Sequence, residues 1–516
     1  MAQTTTGGIE FNFKAKESKP EKPNAQEPFR MLVIGNFSGT ESDQRKDFPA
    51  LHLRKRMNVD RDDLDEVVAK FRPSLNVARE GQGNVPLSFN NLDDFHPDHI
   101  FEHLPFFKDL HALRRRLQSD NGFAAAAEEL EILLNLPKKP AAPKAEVPVA
   151  KPPTPSAPAP APPSDGSFLD SVIGATTEEA TANAGDRWLS QLIDDAVAPY
   201  TLPAEDPRKE HYLLLLDATI SSVMSSILHN SKFQELEANW RGIEFLTRRL
   251  ETDSKLSITL IDISQAELFE DLASQPNATE SGFFKLLNDR TAGDQSRGWS
   301  LVVGLQQFLP TKLDALMLGI IGKLCAQVDC PFVASADPLF ANCTDFFGQP
   351  DSDDWQQALP EDFNQVWPAI RALPQSSYVA LTAPRFLLRY PYSDGTYSIE
   401  SFQYEELSPE FKPESLLWGN GALAVAAVIG QSFSQSGWDL QLGQVTQVDR
   451  LPLSYYEDEG EKCPIPCAET YLMERSFEAL CQAGLAPLAS LKNQDAVRVG
   501  PILSIHKDRT PLQGAW

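Results

Sequence analysis

Four of the eight histidines in this 516-residue chain lie in one stretch, as His96, His99, His103 and His111. His99 and His103 stand four residues apart, where two imidazoles on one helical turn can share a metal. No glutamate follows the first of them at the position that metal-assisted hydrolysis would need, and Pro97 and Asp98 suit the start of a helix. These histidines are therefore expected at surfaces and interfaces, without a metal. The other chemistry-bearing patterns also stop short. Gly322-Lys323 is followed by Leu324, so the hydroxyl that would hold magnesium is missing, and no second glycine stands upstream at the phosphate-loop spacing. No GxSxG elbow occurs. Cys463 to Cys467 (CPIPC) has the wrong spacing for a redox pair, and its two prolines hold the chain extended. The acidic runs Asp351 to Asp354 and Glu457 to Glu461 lack the spaced glycine and terminal glutamate of a calcium loop. No catalytic, cofactor-binding or metal-ligating residue is expected, and the chain reads as a protein that is not an enzyme.

Composition narrows the partners. A formal charge of −26 and a pI near 4.7 repel nucleic acid and anionic membrane alike, so partners should be proteins. Six cysteines (Cys325, Cys330, Cys343, Cys463, Cys467 and Cys481) are sparse for the length and read as reduced thiols. The start, MAQTTTGGIEFNF, has neither a basic nor an apolar leader region, and no run of membrane-spanning length stands out.

The elements that would position such residues fall on two sides of a proline-alanine stretch, Pro137 to Asp165. Its prolines remove backbone donors and fix φ, so it reads as a disordered tether reaching roughly 90 Å in extended form. Before it, Gly8 to Ala15 alternates Ile9, Phe11 and Phe13 with polar residues, the period of a half-buried strand. A charged, proline-containing stretch detaches this arm, which must find a sheet elsewhere. Phe29 to Phe37 (FRMLVIGNF) is a more apolar strand. Arg61 to Phe71 puts Leu64, Val67, Val68 and Phe71 on one helical face, Leu87 and Phe89 continue a strand, and Leu92 to Leu117 and Phe123 to Leu136 read as helices. After the tether, Phe168, Leu169, Val172 and Ile173 line one side of about two turns, too short to be stable alone. Trp188 to Val197 and a long Tyr212 to Leu250 helix follow. Strands at Leu256 to Ile263, Trp299 to Leu305 and Pro331 to Ala334 then alternate with helices at Ala266 to Leu272 and Thr311 to Val328, which predicts an α/β domain with a largely parallel central sheet. Tyr378 to Thr382, Phe386 to Arg389 and Val497 to Ile505 read as further strands, and Gly421 to Phe433 as a small-residue helix.

These segments carry a resemblance. FRMLVIGNFSG (Phe29 to Gly39), VDRDDLDEVV (Val59 to Val68) and LSFNNLDDFHPDHIFEHL (Leu87 to Leu104) resemble, in order and spacing, the small subunit of the type VI secretion contractile sheath. ILHNSKFQELEANWRGIEFL (Ile227 to Leu246), PRFLLRYPY (Pro384 to Tyr392) and LWGN (Leu417 to Asn420) resemble the large subunit. The resemblance implies a fusion: a small α/β module at 1–136 with a strand arm, the linker at 137–165, a helical segment at 166–210 and a larger α/β module at 211–516. The expected contact between the modules runs through the Phe95 to Leu136 and Tyr212 to Leu250 helices.

The resemblance also implies a cytoplasmic structural role in protein secretion. Sheath subunits polymerise as heterodimers around an inner tube protein, their terminal strands complete sheets in neighbouring protomers, and a AAA+ unfoldase grips a short helix near the large subunit's N-terminus. Ile9, Phe11 and Phe13 fall on the exchanged arm, and Phe168, Leu169, Val172 and Ile173 on the gripped helix. The large-subunit pattern ends at Trp516, short of a further helix-containing segment that the family carries. Two expectations therefore stand side by side: a fused sheath protomer, or a sheath-like accessory that caps, seeds or terminates the polymer without extending it.

Overall fold

Seven nearly unbroken apolar residues, FRMLVIG, form strand β1 (Phe29–Gly35), buried along almost its whole length. A run without polar alternation is what a strand covered on both faces requires. The computed structural model in which it sits describes residues 23–134 and 206–516, apart from 42–43, 46, 80–82, 120, 207, 289–297, 409 and 459. The chain divides into two compact units, Met1–Lys108 with Asp217–Trp516, and Asp109–Leu216.

The larger unit is built on one nine-stranded sheet. Beside β1 it contains β2 (Met57–Val59), β5 (Leu256–Asp262), β6 (Leu301–Phe308), β7 (Phe332–Ala336), β8 (Val379–Ala383), β11 (Gln447–Val448), β14 (Leu485–Ser490) and β15 (Val497–Val499). Two-stranded ladders stand apart from it among the described residues: β3 (Ser74–Arg79) with β4 (Gly83–Ser88), β9 (Phe386–Leu387) with β10 (Trp418–Gly419), and β12 (Tyr455–Asp458) with β13 (Glu461–Pro464). Their spatial order is β11-β15-β14-β8-β7-β6-β1-β5-β2. The six strands from β14 to β5 run parallel, and β2, β15 and β11 are antiparallel additions at the two edges. The α/β class and the mostly parallel sheet are as the alternation of elements implies.

The two halves meet in part through the helical stretches expected, with Phe123 against Tyr212 and Phe95 against Phe233. What the sequence does not anticipate is a shared sheet, in which β1 inserts between β5 and β6. Its register runs from Phe29 beside Leu256 to Gly35 beside Asp262 on one flank, and from Met31 beside Leu301 to Ile34 beside Gly304 on the other. A strand apolar on both faces buries more in the middle of a sheet than on a module of its own, and both its ladders are then satisfied.

Side chains alternate between two layers. Leu32 and Ile34 enter a core with Ile261, Val302, Phe332 and Leu381. That core is covered by helices at Gln265–Ser274, Gly282–Leu287, Lys312–Val328, Glu361–Arg371 and Glu474–Ala483. The opposite face of β6, β7 and β8 meets Gly421–Ser436, which packs on Ser231–Thr247. Gly242 lets these two helices approach closely, since a Cβ there would stand 2.4 Å from Leu423 Cδ1. It does not interrupt a helix. The break in the expected Tyr212 to Leu250 helix falls earlier, between Lys209–Leu228 and Ser231–Thr247, where the Asn230 side chain accepts from the amides of Lys232 and Phe233.

Leu92 to Leu117 is likewise divided, into a 3-10 turn at Asp93–Phe95 and helices at Pro97–His103 and Pro105–Gln118. Pro105 cannot continue the preceding helix. The last expected strand shortens to Val497–Val499. Lys209–Leu228 is the one described helix long and apolar enough by composition to cross a membrane; Lys209, Glu210, His211 and Asp217 interrupt it, so it is not an unbroken apolar run of the kind whose absence is expected.

Within the smaller unit, the helix at Phe123–Leu133 faces Tyr212, whose ring meets Phe123 edge-on at 5.8 Å and whose hydroxyl donates to Glu131. Arg116 pairs with Glu129 at 2.6 Å.

Candidate functional site

Within the larger unit, the seam between the segment before the tether and the segment after it gathers most of the residues whose types could do specific work. It is held first by backbone. Beyond the β1 ladders, the Trp240 indole donates to Phe37 O at 3.0 Å, the Asn239 side chain to Asn36 O at 3.2 Å, and the Trp438 indole to Glu27 O at 2.7 Å. Aromatic rings fill the space around these bonds. Phe37, Phe71 and Trp240 form a triangle with centroids 5.2–5.6 Å apart. Phe89 stacks on Phe95 at 4.0 Å, and both meet Phe233 edge-on. Each cluster takes its rings from both segments, so neither half can complete its core alone.

Charge crosses the seam at two places. Arg45, almost wholly buried, donates to Thr40 O at 2.8 Å, Glu267 at 2.8 Å, Ser38 Oγ at 2.9 Å, Asp262 at 3.1 Å and Asn36. Arg54 adds bonds to Asp262 O and to Glu267. Burial would raise the Glu267 carboxyl, but Arg54, the Ser264 amide and Arg45 outweigh it and hold Glu267 below the usual carboxylate range. The same carboxylate closes a capping box with Ser264 at the start of Gln265–Ser274. Only a planar fork reaches these acceptors together. Arg45→Lys is expected to cost about 2 kcal/mol of unfolding free energy, read from the midpoint of urea denaturation; an unchanged midpoint would remove Arg45 from the seam's energetics.

The second crossing brings together the two motifs DDFHPD and RYPY. Asp98 accepts from the amides of Ser401 at 2.9 Å and Glu400 at 3.1 Å. His96 stands edge-on to Tyr392 and against Tyr397, each at 5.1 Å, and burial lowers its pKa. Behind Tyr392 lies a buried ion cluster. Arg389 donates to Glu406 at 2.7 and 2.9 Å and to Glu237 at 3.1 Å, with its guanidinium 4.2 Å from the Tyr392 ring. Arg241 shares Glu237 at 2.6 Å. Burial works against every charge here, yet the two carboxylates hold Arg389 firmly protonated. Arg389, with help from His229 and the Tyr392 amide, brings Glu406 down to about 2.

The sequence-level candidates fall as follows. His99 and His103 stack at 5.7 Å on the helix surface, His103 Nδ1 bonds the His99 carbonyl at 2.9 Å, and His111 is exposed. No metal-holding group occurs among the described residues. Gly322-Lys323 lies inside the Lys312–Val328 helix rather than in a loop. Asp351 and Asp353 pair with Arg475. Cys467 is a buried free thiol, raised to about 11 by burial, and its Sγ donates to Pro452 O at 3.3 Å. Ile9, Phe11 and Phe13, the 137–165 tether, and Phe168, Leu169, Val172 and Ile173 lie outside the described residues. Arg45, Arg54 and Asp262 were not singled out from sequence. Their charged partners stand more than 200 residues away, and no local pattern marks them.

Two family matches divide the chain at the same tether. Residues 210–505 match the family described as EvpB/VC_A0108, tail sheath N-terminal domain. Residues 9–137 match the family described as Type VI secretion system, VipA, VC_A0107 or Hcp2. Among curated proteins, the Type VI secretion system sheath protein TssC1 of Pseudomonas aeruginosa is 29% identical, over a match that spans 61% of this chain and 66% of that relative.

Proposed function

The chain belongs to the tail sheath family, and on that premise we propose that it is a structural component of a type VI secretion contractile sheath, a fused small and large protomer. The carrying observation is the insertion of β1 between β5 and β6. A strand lent by one segment to the middle of the other's sheet makes the two inseparable parts of one building block, as a sheath that contracts under tension requires. The tether then fixes their one-to-one stoichiometry and raises the effective concentration of each for the other to roughly millimolar.

In this reading the chain works without catalysis in the cytoplasm, among other sheath subunits and around an inner tube protein. The alternating Ile9, Phe11 and Phe13 arm pairs with an open sheet edge of a neighbour. The apolar face of Phe168, Leu169, Val172 and Ile173 is offered to a AAA+ unfoldase. Both roles are supported by residue spacing and by the family to which the chain belongs.

Electron microscopy of the purified protein tests the reading. Tubules of uniform width are the expected result, with loss of tubules on deletion of residues 1–15, which removes the arm's main-chain hydrogen bonds. Particles that never lengthen, yet decorate the ends of sheaths assembled from separate small and large subunits, would assign the chain to capping or seeding instead.

A further inference from the structure

The helix at Leu64–Phe71 and the segment that leads into β2 enclose an open basin of about 600 Å³, lined by Lys55, Glu66, Ala69, Lys70 and Arg72. Three cations face one carboxylate there, on a molecule whose formal charge is −26. Glu66 is engaged with Lys70 at 3.5 Å, whereas Lys55 and Arg72 are exposed and have no acidic partner among the described residues. The helix dipole accounts for Lys70 and Arg72 at the carboxyl end. It does not account for Lys55, which arrives from the other wall.

The opposite charge stands on the β12–β13 hairpin. Its base is firm, with Ile465 donating to Ser454 O at 2.8 Å and Tyr456 stacked on Phe411 at 4.1 Å. Its tip is strained by charge. The register sets Asp458 directly opposite Glu461, and Glu457 opposite Lys462, and like charges that face one another across two strands destabilise the ladder. Glu457, Asp458 and Glu461 are exposed and have no ion-pair partner among the described residues. A cation supplied from outside would relieve them. On the same arm Tyr455 leaves 52% of its surface exposed, a residue type that protein contacts commonly bury at their centre.

Tip and basin belong to different flanks of one sheet. Just past the hairpin, Ala468 is bonded to the side chain of Ser490, the last residue of β14. The basin adjoins β2, six strand positions further along, or roughly 29 Å at about 4.8 Å for each step. A four-residue arm spans only about 13 Å.

We propose that the acidic tip of the β12–β13 hairpin docks into the Lys55, Lys70 and Arg72 basin of a second copy of the chain. Copies that each carry −26 repel one another at a distance, so a contact between them has to bring unpaired cations onto unpaired carboxylates, and the fold leaves such groups on both sides. Because the two surfaces differ and each copy carries both, the contact can repeat from copy to copy. The inference does not rest on the sheath reading, since it follows from charges that the fold leaves unpaired.

Sedimentation velocity of the full chain, with charge reversed on either side, tests the contact. Lys55→Glu with Arg72→Glu makes basin and tip both acidic, and Asp458→Lys with Glu461→Lys makes both basic. Each double variant should need at least about tenfold more protein to associate than the unmodified chain in about 50 mM salt, because like charges brought together at an interface are costly. An equimolar mixture of the two should recover the unmodified behaviour, each supplying the surface that the other lacks. Urea midpoints read alongside check that these exposed positions leave the fold intact. Salt gives a measurement that needs no substitution: at about 500 mM the unmodified chain should associate about tenfold more weakly. Unchanged association in both variants, a mixture no better than either variant alone, or indifference to salt would overturn the contact. Loss in the hairpin variant alone would overturn the basin as its partner. Tubules that form equally well from both variants would sink this contact while leaving the sheath reading in place.

Discussion

Produced without residues 1–136, the remainder of the chain will accumulate as insoluble aggregate, and co-production of residues 1–136 as a separate polypeptide will return it to solution as a one-to-one complex. Removing β1 strips β5 and β6 of a ladder each and leaves two long apolar edges open, the kind of surface that pairs with other copies. The loss is large on the scale of a domain. Phe29, Met31, Leu32, Val33 and Ile34 are all fully buried. At about 1.5–3 kcal/mol for each such side chain, the strand contributes a gross ~7–15 kcal/mol, comparable with the whole stability of a typical native protein. Solubility and size-exclusion profiles of the two preparations read the result directly. A large segment that stays soluble and monomeric by itself would show that β1 is an accessory to a sheet complete without it.

Replacing Arg389 with methionine should cost about 3–5 kcal/mol, because Glu406 is then left buried with no guanidinium and Glu237 keeps only Arg241. The pH dependence gives the test a sign. In the native protein the Glu406 carboxyl is held at about 2, against an ordinary 4.5. A depressed carboxyl adds stability that is complete above pH 4.5 and is lost as pH falls from 4.5 towards 2, on the order of 3 kcal/mol for this group. In Arg389→Met the cause of the depression is gone and burial dominates, so the folded carboxyl rises above its unfolded value. The folded state then binds more protons than the unfolded one, and this group's contribution grows on acidification. Urea midpoints taken between pH 7 and pH 3 should therefore converge for the two proteins. Parallel curves would mean that Glu406 is not governed by Arg389.

Much of the frame was legible in the residues. The apolar runs Leu256 to Ile263 and Pro331 to Ala334, with helices between, carry the parallel sheet in their alternation, and DDFHPD and RYPY stood out before they were seen to touch through Asp98, His96 and Tyr392. FRMLVIGNF read as a strand, more apolar than the arm before it, and its burial on both faces came from the structure. Periodicity marks a strand but not beside which strands it lies, so its place between β5 and β6 was beyond reach. Leu485–Ser490 escaped because Pro487 reads as a strand breaker, and Met57–Val59 because three residues carry no period. The Arg45 cluster had no local signature at all, since its carboxylates arrive from more than two hundred residues downstream. The two segments proposed to act in assembly, around Phe11 and Leu169, rest on spacing and resemblance alone.

The central position of β1 also sets a schedule for making the protein. Domains commonly fold from the N-terminus as they emerge from the ribosome, at about 5–20 residues per second. Here the first strand made has its neighbours at Leu256–Asp262 and Leu301–Phe308, so it must wait on the order of ten to sixty seconds of translation before either flank exists. Throughout that interval an apolar, sheet-ready segment is exposed to the cytosol. A nascent-chain chaperone that holds Phe29–Gly35 until β6 has cleared the exit tunnel would decide the yield of folded protein, and slowing translation after β6 would no longer matter.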